Sequence, residues 1–372
     1  MKYISVFLFL FLVSCGEPVA QKQLQEQAEN SADRPLAKFE PASDQCLLFV
    51  GQELEAIGGL KDYNDGYLDH YNRPAGFTMY TNLNPGLESF GRIMEGLDGV
   101  FKTADWGDSP SNMSLQLDDS DFENMALAIG LQFVHHEEKV ADGTHDALIK
   151  KMGKFFLSLG ERPVFLRIGY EFDGYSWNHY EIEPYKKAYR RIKDKLDEMG
   201  VNNVAYVWQS TGWVTSLDLL EDWYPGDDYV DWCGYSFFAR WDEAVMIDFA
   251  RKKGKPVFIA EATPTISDYT IKFNGDAKTT LLSDPAQAKE AWDKWFIPFF
   301  NTIEENKDIV KAISYINCHW KNHVMWKGNP TFKDVDARLH INQEISNKWK
   351  EKVYTDAFIH SSDDLYQQLW RK

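Results

Sequence analysis

The chain has 372 residues, a formal net charge of −17 and 15% aromatic residues. That length suits one large domain with an ample core, and the negative charge excludes nucleic acid, which needs a basic face. It also disfavours a strongly anionic substrate and leaves a neutral polymer as the easier ligand. The 13 Trp, 18 Tyr and 24 Phe are too many to line a surface, so most must fill a core. Rings at strand ends are the ones free to stack on the CH-rich faces of sugars.

The chain starts "MKYISVFLFLFLVSCG", one Lys followed by an apolar run. The run is too short to span a bilayer and fits a signal peptide, residues 1–14. It ends in Leu12-Val13-Ser14-Cys15, which resembles the bacterial lipobox and implies cleavage before Cys15 and lipidation of its thiol. Residues 15–42 then read as a flexible tether, with Gln at 21, 23, 25 and 27 and little to bury. The expectation is a membrane-anchored lipoprotein, in the outer membrane, at the cell surface or in the periplasm, whose only membrane contact is this anchor. Cys46, Cys233 and Cys318 show neither metal spacing nor a disulfide framework and read as buried thiols.

From 43 to 372 no second linker or repeat interrupts the pattern. Short apolar runs recur at 47–51, 76–80, 126–133, 163–170, 204–209, 231–238, 256–261 and 312–320. Helical patterns lie between them. The best has Tyr185, Ala188, Tyr189, Ile192, Leu196 and Met199 at helical spacing, starts at Pro184 and ends at Gly200. Another starts at Asp284-Pro285, and Pro298 should kink or split it. Eight strands alternating with helices in one domain predict an α/β fold, a single (β/α)8 TIM barrel. An open doubly wound sheet is the alternative, weakened by the lack of a Gly-rich loop after the first strand.

In such a barrel the C-terminal strand ends form the active site. The third run ends near His135-His136, the fourth at Glu171, the fifth at Trp208-Gln209. The sixth carries Tyr235, the seventh ends at Glu261 and the eighth at His319-Trp320. Two carboxylates then face one cleft walled by Trp, Tyr and His. That pairing suits glycoside hydrolysis, in which one carboxylic acid protonates the leaving oxygen and the other carboxylate attacks the anomeric carbon or activates water. Trp177, Trp208, Trp213 and Trp320 are candidate sugar platforms, and Trp106 in "FKTADWGDSP" can reach the cleft from the loop after the second strand. Adjacent His135 and His136 would point to opposite faces of a strand, and nothing else completes a metal site. No metal and no cofactor are expected. A Ser nucleophile would need a G-x-S-x-G elbow, which the sequence lacks.

"PVFLRIGYEFDGYSW" (163–177) resembles the acid/base segment of glycoside hydrolase family 26, in clan A, with Arg167, Glu171, Asp173, Gly174 and Trp177 at the matching places. "NVAYVWQS" (203–210), "WYPGDDYVDWCGYSFF" (223–238) and "KPVFIAEATP" (255–264) resemble the family's fifth, sixth and nucleophile strands. The resemblance implies a retaining mechanism in which Glu171 is the general acid/base and Glu261 the nucleophile. It implies that Tyr235 hydrogen-bonds Glu261 and that Trp320 is the sugar platform at the point of cleavage. Arg167, Trp177, His179, Trp208, Gln209, His136 and His319 complete the expected substrate-binding set. One departure stands out: the family's mannanases usually carry His before the acid/base Glu, and here Tyr170 stands there. That puts mannan in doubt and keeps other β-glycans open, β-1,3-xylan among them. The expected activity is that of an endo-β-glycanase cutting β-xylan or β-mannan, acting as a monomer. The rival readings are a non-catalytic glycan-binding lipoprotein and an exo-acting glycosidase.

Overall fold

Eight strands close into a parallel barrel: β1 (Cys46–Gly51), β2 (Gly76–Asn82), β3 (Ala126–Gln132), β4 (Val164–Ile168), β5 (Val204–Ser210), β6 (Trp232–Phe237), β7 (Val257–Ala262) and β8 (Val310–Ile316). Each pairs with the next in chain order, and β8 returns to β1. A short β9 (Phe358–Ile359) adds to the outer side of β1. The computed structural model describes residues 34–42, 44–212, 216–238, 244–265 and 280–370, and the barrel lies in the unit Leu36–Lys372. Cys15, the apolar run before it and Trp213 lie outside the described residues.

The strands form where the apolar runs predicted them, because parallel strands buried on both faces read as continuous hydrophobic runs. Two ends differ: β4 stops at Ile168 and β8 at Ile316. Tyr170 and Glu171, and His319 and Trp320, therefore sit in the loops beyond the strands. The helix Ile182–Glu198 buries Tyr185, Ala188, Tyr189, Ile192 and Leu196, the predicted face. Asp284 caps the next predicted helix by accepting from Ala286 and Gln287 backbone N–H groups. A π-helical turn, Trp292–Phe296, splits that helix just before Pro298. Pro298 lacks an N–H and its ring crowds the carbonyl four residues back, and the wider turn relieves both.

Small and large side chains alternate inside the barrel. Ala126, Ala128, Ala205, Ala260 and Ala312 leave room for Phe49, Phe165, Trp232 and Phe258. Phe165 meets Phe49 and Trp232 edge to face, each at 5.3 Å between ring centroids. Phe39 and Trp370 close the N-terminal end, packing on each other at 5.1 Å. That end is plugged with apolar rings, so the polar chemistry collects at the other end. Cys46, Cys233 and Cys318 are free, buried thiols.

Candidate active site

At the C-terminal end of the barrel, a cavity of about 550 Å³ opens between the loops. Its lining includes Glu53, Tyr80, Trp106, Tyr170, Glu171, Trp177, Phe238, Glu261, Trp320, Trp326 and Phe332. The two carboxylates expected from the sequence thus share one cleft, with Trp177, Trp320 and Trp106 on its walls.

Glu261 reaches the cleft through an irregularity in β7. Phe258 and Ala260 face the barrel interior, so strict alternation would turn Glu261 outward. The register against β6 and β8 instead gains one residue between Ile259 and Ala262. This β-bulge puts Glu261 on the inner face directly after Ala260. There Arg167 Nη1 donates to its Oε1 at 2.7 Å. The guanidinium is wholly buried, and Nη1 also donates to Gln209 Oε1 at 2.9 Å. Gln209 Nε2 lies 3.3 Å from Glu261 Oε1 and 3.0 Å from Ser236 Oγ.

Glu171 sits just past β4 in a left-handed backbone conformation, φ 52°. A non-glycine residue held there marks strain of the kind found at functional sites. Ser236 Oγ donates to Glu171 Oε1 at 2.6 Å and the Trp177 indole N–H donates to Oε2 at 2.9 Å. Burial, then the negative charge of Glu261 and, further, of Asp173, push the Glu171 carboxyl up to about 8 despite these hydrogen bonds. A chain of hydrogen bonds, Arg167–Gln209–Ser236, thus ties the ion-paired carboxylate to the one that holds its proton.

The loop after β4 holds this arrangement together. Asp173 accepts from Ser210 Oγ and Thr211 N, both at 2.7 Å, and fastens the loop to the end of β5. Asn178 Nδ2 donates to the carbonyls of Tyr170 and Glu171. Gly174 lies under the Trp177 indole, where a Cβ would come within 2.5 Å of the ring. The close approach fixes Trp177 against Glu171.

Several expected binding residues fall elsewhere. Trp208 points out of the barrel, unexposed, and stacks on Phe172 at 4.4 Å. Its neighbour Gln209 takes the inner face, as alternation demands. Tyr235 likewise packs outward among the helices with Cys233 and Phe237. Ser236 is the inward residue of β6, and Arg167 and Gln209 are the polar partners of Glu261. His136 is buried against His145, ring nitrogens 2.8 Å apart. Burial first, then the charge of Lys139, push its imidazole down to about 4. His179 stacks on His135 at 5.6 Å, and His319 lies 3.7 Å from Asp336. None of these five lines the cavity. Arg167 and Gln209 act from beneath it, on Glu261.

The sequence reading missed Glu53, Tyr80, Ser236 and Trp326. The Tyr80 and Tyr170 rings meet edge to face at 5.1 Å on the cavity wall. Arg167 lies 4.8 Å from the centroid of Tyr80. Glu53 is only 2% exposed, and burial, reinforced by Glu55, pushes its carboxyl up to about 8. Two loops meet at the cavity that Glu53 lines. Met325 N donates to Gly107 O at 3.0 Å and Val324 N to Asp108 Oδ2 at 3.0 Å, joining the loop after β8 to the loop after β2 over the end of β1.

Away from the cleft, Asp65, His70 and His340 bring ligand atoms within 4.8 Å of one another. The two imidazole rings stack at 3.8 Å, and Arg338 lies 3.8 Å from Asp65. Stacked rings cannot aim their in-plane lone pairs at one ion, and the nearby cation opposes a second, so this cluster is a poor metal site.

The profile of Glycosyl hydrolase family 26 matches residues 134–329, just over half of the chain. The chain is 33% identical over 344 residues to the β-1,3-xylanase TXYA of a Vibrio species, covering 87% of this chain and 68% of that protein. It is 31% identical over 348 residues to a β-1,3-xylanase of an Alcaligenes species, covering 88% and 67%. A family 26 β-mannanase from Bacteroides ovatus shares the fold with a TM-score of 0.55, at 15% identity over 93% of this chain and 96% of that one. With its closed barrel and two carboxylates in one cleft, the chain belongs to glycoside hydrolase family 26 and is an O-glycosyl hydrolase.

Proposed function

We propose that this protein is a retaining endo-β-glycanase acting on β-1,3-xylan. The observation that carries the reaction is the contrast between its two carboxyls. Glu261 is ion-paired to a buried guanidinium and held by it in one orientation, as a carboxylate nucleophile must be. Glu171, beside it, keeps its proton near neutrality, as a general acid must.

In this reading Glu261 attacks the anomeric carbon while Glu171 gives its proton to the leaving glycosidic oxygen. The glycosyl bond to Glu261 is then broken by water, whose proton returns to Glu171. Trp320 and Trp177 offer planes to the sugars on either side. Arg167 and Gln209 keep Glu261 oriented, and Ser236 orients Glu171. Two observations favour xylan over mannan: both long matches are named β-1,3-xylanases, and Tyr170, packed on Tyr80, occupies the position before the acid. Lipidation of Cys15 would tether the enzyme to a membrane, and a Cys15→Ser variant should move to the soluble fraction.

The test is product profiling of the purified enzyme on β-1,3-xylan, β-1,4-xylan, β-mannans and β-glucans, with Glu261→Ala in parallel. Oligosaccharides from β-1,3-xylan alone, absent with the variant, are expected. Release only from mannan, or release that survives Glu261→Ala, overturns the reading.

A further inference from the structure

Glu53 has no part in the reaction just described, yet it is a buried carboxyl on the wall of the catalytic cavity. It follows β1, and β1 adjoins β8, which adjoins the nucleophile strand β7. Glu53 therefore stands nearer in strand order to Glu261 than to Glu171. Trp320 lines the same cavity wall, and its indole N–H is buried with no hydrogen-bond partner among the described residues. Glu53 Oε2 is likewise buried and has no hydrogen-bond partner among the described residues. A carboxylate oxygen left so costs stability, because its desolvation is uncompensated. Natural proteins tolerate that cost where a ligand supplies the missing partner.

A sugar supplies such partners. Its ring stacks on an aromatic plane while its hydroxyls point sideways to acceptors. Trp320 gives the plane, and Glu53, on the same cavity wall, gives the acceptor. Trp106 and Met325, at the clasp between the loops after β2 and β8, line the same cavity. We propose that Glu53 is a substrate-binding residue whose Oε2 accepts a hydrogen bond from a hydroxyl of the sugar stacked on Trp320. This rests on the glycanase reading above.

The test uses Glu171→Gln as a binding-competent, inactive parent and β-1,3-xylotetraose as probe. Affinity is measured by calorimetry and the melting temperature by calorimetric scanning without sugar. Adding Glu53→Leu, close in shape but without oxygens, should weaken binding by about 10- to 100-fold. Its melting temperature should hold or rise, because an unpartnered buried oxygen is gone. Adding Glu53→Gln, which keeps one acceptor, should fall between. Unchanged affinity in Glu53→Leu overturns the proposal. So does a loss of affinity that comes with a large fall in melting temperature, the signature of a structural role. If the parent binds no xylo-oligosaccharide but binds a manno-oligosaccharide, the choice of substrate fails and the same variants are read with that sugar. If it binds neither, the glycanase reading fails and takes this proposal with it.

Discussion

Arg167 and Glu261 form a salt bridge of 2.7 Å at the centre of the cleft, with the guanidinium fully buried and the carboxylate nearly so. The pair fixes a negative charge beside Glu171, and that charge, added to burial, is what keeps Glu171 protonated. One ion pair thus prepares both catalytic states. Breaking it should be costly. Arg167→Met leaves a buried carboxylate without its cation, which destabilises by about 3–5 kcal/mol, and frees the nucleophile to turn. Activity should vanish, while Arg167→Lys, which keeps a charge but not the geometry that reaches both Gln209 and Glu261, should retain a fraction. Kinetics and thermal melts of the two variants check this.

The pH profile should carry opposite shifts from two neighbours of Glu171. A general acid works only while protonated, so kcat/KM should fall as pH rises through about 8. Asp173 raises the Glu171 pKa and the Trp177 hydrogen bond lowers it. Asp173→Asn should move the alkaline limb to lower pH, and Trp177→Phe should move it higher. Shifts in the same direction would contradict the assignment of the limb to Glu171.

The same carboxyl couples stability to pH. Glu171 titrates near 8 in the folded protein against an ordinary 4.5. Between these values the native state holds more protons than the unfolded chain, so stability falls as pH rises through that window. Glu171→Gln cannot lose a proton. Its melting temperature should exceed the parent's by several degrees at pH 9 and by much less at pH 4.5, as thermal scans at the two pH values would show.

Trp208 and Trp320 should part company under substitution. Trp208 is sealed between β5 and Phe172, so Trp208→Ala should cost about 3–5 kcal/mol of stability and leave KM near the parent's. Trp320, 1% exposed yet on the cavity wall, should show both effects: Trp320→Ala should cost a similar amount of stability and also cut kcat/KM on polysaccharide by about 10- to 100-fold.

The loop clasp rests on Gly107, whose φ is 76°. A Cβ there would come within 2.7 Å of Met325 N, the atom that donates to Gly107 O. Gly107→Ala should open the clasp and raise KM, with kcat less affected, since neither Glu171 nor Glu261 touches it.

Strand order and the two carboxylates were legible because the apolar runs 163–170 and 256–260 are each followed by a lone Glu. Which neighbour faced the cleft was not. In strands buried on both sides the period of two disappears, so Tyr235 and Ser236, or Trp208 and Gln209, cannot be told apart by pattern. Glu261 adds a bulge that no alternation rule foresees. Glu53 stayed hidden because it lies past the apolar run of β1, at the start of the short helix Leu54–Ile57, where no pattern marks it as buried.

The central claim is that Glu261 forms the glycosyl-enzyme. Incubation with an activated 2-deoxy-2-fluoro-β-xylobioside, followed by proteolysis and mass spectrometry, tests it most directly. The account predicts one sugar adduct per protein, on the peptide that contains Glu261, and none in Glu261→Ala. An adduct on Glu171 or Glu53 would contradict it, as would turnover with inverted anomeric configuration and no adduct.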